Sequence, residues 1–319
     1  MSTSGGTKAI VAALLANSGI AVTKFIAFLV SGSSAMLAES IHSVADAGNQ
    51  GLLLLGGKRA KRTATPEHPF GFGRERYIYA FIVAIVLFSV GGLYSLYEAI
   101  HKLQHPEPIK QAWLPITVLL VAIVLESLSF RTAIRESNLV RGKVGWVKFV
   151  RRAKAPELPV ILLEDLAALV GLVLALIGVS VAAATGDGIW DGIGTLGIGV
   201  LLVAVAVILA IETKSLLLGE GALAEDVQKI TAATLAGDSI DKVIHMKTLY
   251  LGPEELMVAM KVGVHTTDSA VDVATAINEV ESRIRAALPV ARVIYIEPDV
   301  YTAGYTPAER PVAPESAGH

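Results

Sequence analysis

Two clusters of ionisable residues sit inside stretches otherwise apolar enough to cross a membrane: Glu39, His42 and Asp46, then Glu164 and Asp165. An ionisable side chain in a spanning helix is costly unless it faces a partner or a water-filled cavity, so such residues point to function. His42 and Asp46 are four apart, which stacks them on one helical face about one turn apart. An imidazole nitrogen and a carboxylate oxygen so placed can converge on one ion at about 2 Å, as in tetrahedral zinc sites. Glu39 lies on the same face one turn away. The alternative is that His42 and Asp46 hydrogen-bond each other and lock helix packing. A second carboxylate cluster in another span favours the ligand reading.

Glu164 and Asp165 are adjacent, so they point about 100° apart and at most one faces a given site squarely. Asp165 is the better candidate. Ala167, Ala168 and Gly171 follow it, and such small residues let a neighbouring helix come close. Glu164 either reaches the site from the flank, carries a proton, or makes a structural bond. Glu126 and Lys24 are further buried ionisable candidates: Glu126 for a metal or proton path, Lys24 as partner to a carboxylate. Asn17, Asn49 and Gln50 read as interhelical hydrogen-bonding groups, with Asn17 an accessory candidate.

These residues need a membrane scaffold, and the composition supplies one. The 319 residues are 53% hydrophobic with a mean hydropathy of +0.59, well above a water-soluble domain. Six stretches reach the ~20 apolar residues that a bilayer requires: about 8–30, 36–57, 77–100, 112–134, 158–184 and 190–213. Lys and Arg concentrate in the loops after the second and fourth spans, with Lys58, Arg59, Lys61, Arg62, Arg74 and Arg76 in the first of them. Positive loops stay on the cytoplasmic side, which predicts both termini there. The start MSTSGGTKA has neither the apolar region of a signal nor the Arg-rich character of a transit peptide. The expectation is a bacterial inner membrane.

From residue 214 to 304 the pattern is that of a small α+β domain. A helix over Ala224–Leu235 precedes strands at Lys242–Leu251 and Glu255–His265, with Gly252-Pro253 as the turn between them. A helix over about Ser269–Leu288 and a strand at Ala291–Glu297 complete an αββαβ order, a sheet with helices on one face. The tail Tyr305–His319, with three prolines and no apolar pattern, reads as disordered. The predicted domains are thus a 1–213 six-helix transmembrane bundle, a 214–304 cytoplasmic domain and a 305–319 tail.

Several function classes drop out. A net charge of −2 with no basic stripe disfavours nucleic acid. With no cysteine, disulfides, thiolate metal sites and cysteine nucleophiles are excluded. No HExxH and no glycine-flanked serine motif is present, so the chain does not read as an enzyme.

The segments SSAMLAESIHSVAD (Ser33–Asp46) and HPFGFGR (His68–Arg74), six spans and a C-terminal αββαβ domain together resemble the cation diffusion facilitator family over roughly residues 8 to 300. AESIHSVADAGNQ and LLEDLAALVG look most like the branch that includes animal zinc transporter nine. The resemblance implies a homodimer in a lipid bilayer that exports a divalent metal from the cytoplasm in exchange for protons. It also implies a metallochaperone-like (ferredoxin-like) C-terminal domain. The implied transport site takes two ligands from each of spans two and five, spaced four apart. His42 and Asp46 match the first pair and Asp165 the second member of the other. Ile161 stands where the family has His or Asp, leaving Glu164 or water as fourth ligand. The family's regulatory histidine positions correspond to Thr275 and Tyr295, so no strong metal site is expected there. His245 and His265 read as structural.

The expected mechanism is alternating access in which protons displace the metal, since imidazole and carboxylate bind either competitively. His42, whose side-chain type titrates nearest neutrality, is best placed to couple to pH. Zinc (Zn2+) suits His42, whereas Mn2+, Co2+ or Fe2+ would suit an oxygen-rich fifth span. The rival of another class is a membrane scaffold or sensor with an idle site.

Overall fold

The computed structural model describes residues 4–31, 34–106 and 112–301, and within these the side chains of residues 4–5, 31, 34–39 and 41–42 lie outside the described part. The tail Tyr305–His319 lies outside it too. The chain divides into two compact units, Met1–Leu218 and Gly219–His319.

The first unit is helical: α1 (Ser4–Ser31), α2 (Ser34–Arg59), α3 (Glu75–Val86), a π-helical stretch (Leu87–Leu93), α4 (Tyr94–Gln104), α5 (Trp113–Arg141), a short α6 (Trp146–Arg152), α7 (Glu157–Thr185) and α8 (Ile189–Leu218). The last helix runs past the expected end at 213. Lys214 and Ser215 are polar but no helix breakers, and they carry it on to Leu218. Long apolar side chains such as Leu15, Leu29, Ile177 and Ile211 stay exposed around the bundle. So much outward apolar surface suits a bilayer and not water.

By length and composition, five stretches among the described residues can cross a membrane: Gly6–Val30, Glu75–Gln104, Trp113–Arg141, Glu157–Thr185 and Ile189–Leu218. The sixth expected span, α2, is a helix but not among the five. Glu39, His42, Asp46, Asn49 and Gln50 dilute its apolar residues.

α1 packs against α2 and α5, α5 against α7, and α7 against α8, while α3 and α4 also lie on α8. Small residues set the closest crossings. A Cβ on Gly178 would stand 2.9 Å from the Trp190 carbonyl oxygen and 3.4 Å from Gly194 Cα, so α7 and α8 touch backbone to backbone. A Cβ on Gly92, in the π-helical stretch, would stand 2.7 Å from Val203 Cγ2 and 3.2 Å from its backbone nitrogen on α8. At one end of the bundle Arg76 of α3 forms an ion pair with the buried Glu157 at the start of α7.

The second unit contains α9 (Ala224–Thr234), β1 (Lys242–Gly252), β2 (Glu255–Gly263), α10 (Ala270–Ala287) and β3 (Ala291–Asp299). The sheet order is β1-β2-β3, with β1 antiparallel to β2 and β2 parallel to β3 through the α10 crossover. Alternate β2 residues Leu256, Val258, Met260 and Val262 are buried and share one core with Ile230 of α9 and Val280 and Ile284 of α10. Period two on the strand and 3.6 on the helices produces this layering. Ser269 and Asp272 form a reciprocal capping box that starts α10.

Candidate metal centre

Four helices of the first unit bring polar side chains into its interior. α7 supplies Glu164 and Asp165, α5 supplies Glu126 and Ser129, α2 supplies Asn49 and Gln50, and α1 supplies Asn17 and Lys24, all buried. Asp46 of α2 is half-buried.

The two adjacent acids of α7 diverge as a helix requires. Glu164 turns toward α2: its Oε1 accepts from Asn49 Nδ2 at 3.0 Å and its Oε2 from Gln50 Nε2 at 3.0 Å. Gln50 Oε1 in turn accepts from Asn17 Nδ2 at 3.3 Å, extending the chain to α1. Asp165 turns toward α5, where Ser129 Oγ donates to its Oδ2 at 2.7 Å. The other oxygen, Oδ1, is buried with no hydrogen-bond partner among the described residues.

Glu126, three residues before Ser129, shares that face of α5. Its charge interacts with those of Asp165, Glu164, Asp46 and Lys24. Among the described residues, acidic charges thus outnumber the ammonium acting on Glu126. In a low dielectric that excess of negative charge favours taking up a cation, whether a metal ion or protons.

Among the described residues, no three His, Asp or Glu side chains are grouped closely enough to hold a metal. The side chains of Glu39 and His42 lie outside the described residues. Ile161 is fully buried within the apolar core of the bundle, so the position four before Asp165 serves packing.

Ser129 escaped the sequence reading. Its signal was its position three after Glu126; Ser127, next to Glu126, instead bonds its own helix, at the Ile123 carbonyl, at 2.6 Å. In the second unit, Thr275 donates to the Val271 carbonyl of its own helix at 2.9 Å, and Tyr295 is exposed on β3. His265 Nε2 lies 3.0 Å from the Asp238 carbonyl and its Nδ1 3.3 Å from Asp241. Hydrogen bonding to that carbonyl, and then the Asp241 carboxylate, raise its pKa.

Residues 10–218 match the model of the cation efflux transmembrane domain. The chain belongs to the cation efflux (cation diffusion facilitator) family. That is not an enzyme family. Over 251 residues the chain is 34% identical to the proton-coupled zinc antiporter SLC30A9, mitochondrial, of Mus musculus, covering 78% of this chain and 44% of that protein. It is 27% identical over 248 residues to metal tolerance protein C4 of Arabidopsis thaliana, covering 77% of this chain and 54% of that one. Magnetosome protein MamB of Magnetospira sp. (strain QH-2) is 26% identical over 63% of each chain. The chain spans under half the length of the mouse protein.

These relatives correct one expectation. The SLC30A9 proteins of mouse, human, orangutan and frog, matched over about three quarters of this chain, are mitochondrial by name. Against these relatives the expectation of a bacterial inner membrane does not stand. The expectation rested on the residues at the start of this chain, which is a weak physical warrant for location. A multi-pass membrane protein remains, but its basic side is no longer to be called cytoplasmic.

Proposed function

We propose that this chain carries a divalent transition metal, with zinc as the preferred ion, across a membrane in exchange for protons. The observation that carries the reading is Asp165: one oxygen oriented by Ser129, the other buried and without a partner among the described residues. A desolvated carboxylate oxygen with no donor is suited to receive a cation. In this reading α2 is the sixth span, kept in the bundle by its amide contacts. His42 and Asp46 from α2 join Asp165 as ligands, and Glu164 joins only by giving up its amide donors.

The cycle is alternating access. Metal enters between α2 and α7 from one side, the bundle rocks, and protons taken up by His42 and the carboxylates release it on the other. The printed name of the SLC30A9 relatives, a proton-coupled zinc antiporter, supports both the ion and the coupling. The protein works as a homodimer in this proposal. The number of carboxylates around Asp165 favours a second reading in which manganese, cobalt or iron(II) is the cargo.

Flux into liposomes holding the purified protein tests this, with zinc, manganese, cobalt and iron(II) offered with and without a pH gradient. Proton-driven zinc flux, lost in Asp46→Ala and Asp165→Ala, is the expected result. Flux of another ion in preference to zinc selects the second reading. No flux of any ion replaces transport with a scaffold or sensor role.

A further inference from the structure

We propose that His101 and His105, on the outward face of α4, form a two-histidine surface site for a divalent transition metal of the zinc class. The site is separate from the acidic interior of the bundle, and it stands or falls without the transport reading.

The two histidines are four apart in AIHKLQHPE, His101 in the last turn of α4 and His105 as its C-terminal cap. That spacing puts both side chains on one helical face, with Cβ atoms about 5–6 Å apart. It is also the spacing at which the two histidines of an HExxH helix hold zinc. The ring centroids lie 5.4 Å apart with their planes at 60°. Two imidazoles that share a tetrahedral zinc, at Zn–N of about 2.0–2.1 Å, hold their centroids roughly 5–5.5 Å apart. The pair thus has the span of a chelate.

A tilted ring contact covers the same distance, so the surroundings decide between packing and ligation. The packing face of α4 is the other one. A Cβ on Gly199 or Gly192 of α8 would strike Leu96 or Leu103. His101 and His105 each point about 160° away from Leu103 around the helix. Tyr94 and Tyr97 share that outward stripe, 44% and 66% exposed, and both histidines are exposed. No core needs these rings.

The local charge suits a cation. The carbonyls that end a helix carry partial negative charge, and the His105 amide donates to the His101 carbonyl at 2.9 Å, closing the last turn beneath the rings. Lys102, between the two histidines, is held against α8 by Asp191 at 3.0 Å. The span Glu75–Gln104 is continuous, so the pair emerges at the end of the bundle opposite Arg76 and the basic loop. Exposed Trp113 and Trp190 mark a membrane–water interface at this end, where aqueous metal has access. Among the described residues no third His, Asp or Glu completes a cluster. Water then fills the remaining positions, and imidazole selects zinc, copper or nickel over magnesium or calcium.

Modification of the purified full chain by diethyl pyrocarbonate, mapped by mass spectrometry, reads each histidine by itself. With zinc at about ten times its dissociation constant, modification of His101 and His105 should slow together by roughly tenfold. Magnesium at the same concentration should leave both rates unchanged. In His105→Gln zinc should no longer protect His101, and in His101→Gln it should no longer protect His105, because a lone imidazole makes no chelate. Both side chains are exposed, so neither substitution disturbs the core. Asp165→Ala should protect both histidines as the wild type does. Absent or unequal protection in the wild type overturns the proposal. So does protection that survives loss of the other histidine, protection by magnesium, or its disappearance in Asp165→Ala. Absence of metal flux in liposomes has no bearing on these rates, so the two readings fail separately.

Discussion

Ser129 of α5 donates its hydroxyl to Asp165 Oδ2 of α7 at 2.7 Å, so the carboxylate we propose as a metal ligand is oriented from a helix that carries none of the proposed ligands. Groups that orient a ligand typically matter about 10–100-fold in metal affinity.

Ser129→Ala should therefore raise the KM for zinc flux by roughly that factor, with kcat little changed. Asp165→Asn should reduce flux to background. The concentration dependence of flux separates the two. Loss of flux in neither variant would remove Asp165 from the site.

Asn49 and Gln50 together hold both oxygens of Glu164. Replacing both with Leu strands a buried carboxylate, and an unsatisfied buried group costs about 1–3 kcal/mol, more when charged. The purified protein should melt at a clearly lower temperature. Glu164→Gln, which keeps one acceptor oxygen for the two amide donors, should retain zinc flux within about tenfold of wild type. Complete loss there would make Glu164 a direct ligand.

Gly178 touches the backbone of α8, whereas a Cβ on Gly51 of α2 would meet nothing within 4 Å. Gly178→Val should push α7 and α8 apart at a cost of about 1–3 kcal/mol. Gly51→Ala should be neutral or stabilising by up to about 1 kcal/mol, since alanine favours helix. Thermal unfolding in detergent measures both.

His265 provides a pH handle outside the membrane. Its pKa is raised by the Asp238 carbonyl and the Asp241 carboxylate, so the folded state favours the protonated ring. The stabilisation is complete below the unfolded value of about 6.5. It is lost as pH rises through the higher folded value. NMR titration of the ring should show a midpoint above that of a free histidine. His265→Gln should flatten the loss of stability over that window; an unshifted midpoint would refute the assignment.

Much of this was readable from residue order. Gly252-Pro253 marked the β1–β2 turn and Ser269 the start of α10, because turns and caps depend on local chemistry. The divergence of Glu164 from Asp165 followed from helical geometry alone. The role of Ser129 did not, because a serine in a span equally well bonds its own helix, as Ser127 does. What separates them is the rotation of α5 against α7, a property of packing. The π-helical stretch was hidden for the same reason, as was α6, against whose Trp146 ring Arg141 lies at 4.0 Å.

The wide turn at Leu87–Leu93 acts as a phase shifter between α3 and α4. Each residue of a helix advances it by about 100°, and a π turn holds one more residue than an α turn. Beyond it, Lys102 meets Asp191 at 3.0 Å and Thr195 at 3.3 Å on α8. Removing a single residue from the stretch would swing Lys102 about a quarter-turn away from both while leaving every side chain in the span chemically intact. Length variation in this span is therefore constrained by angle as much as by bilayer thickness.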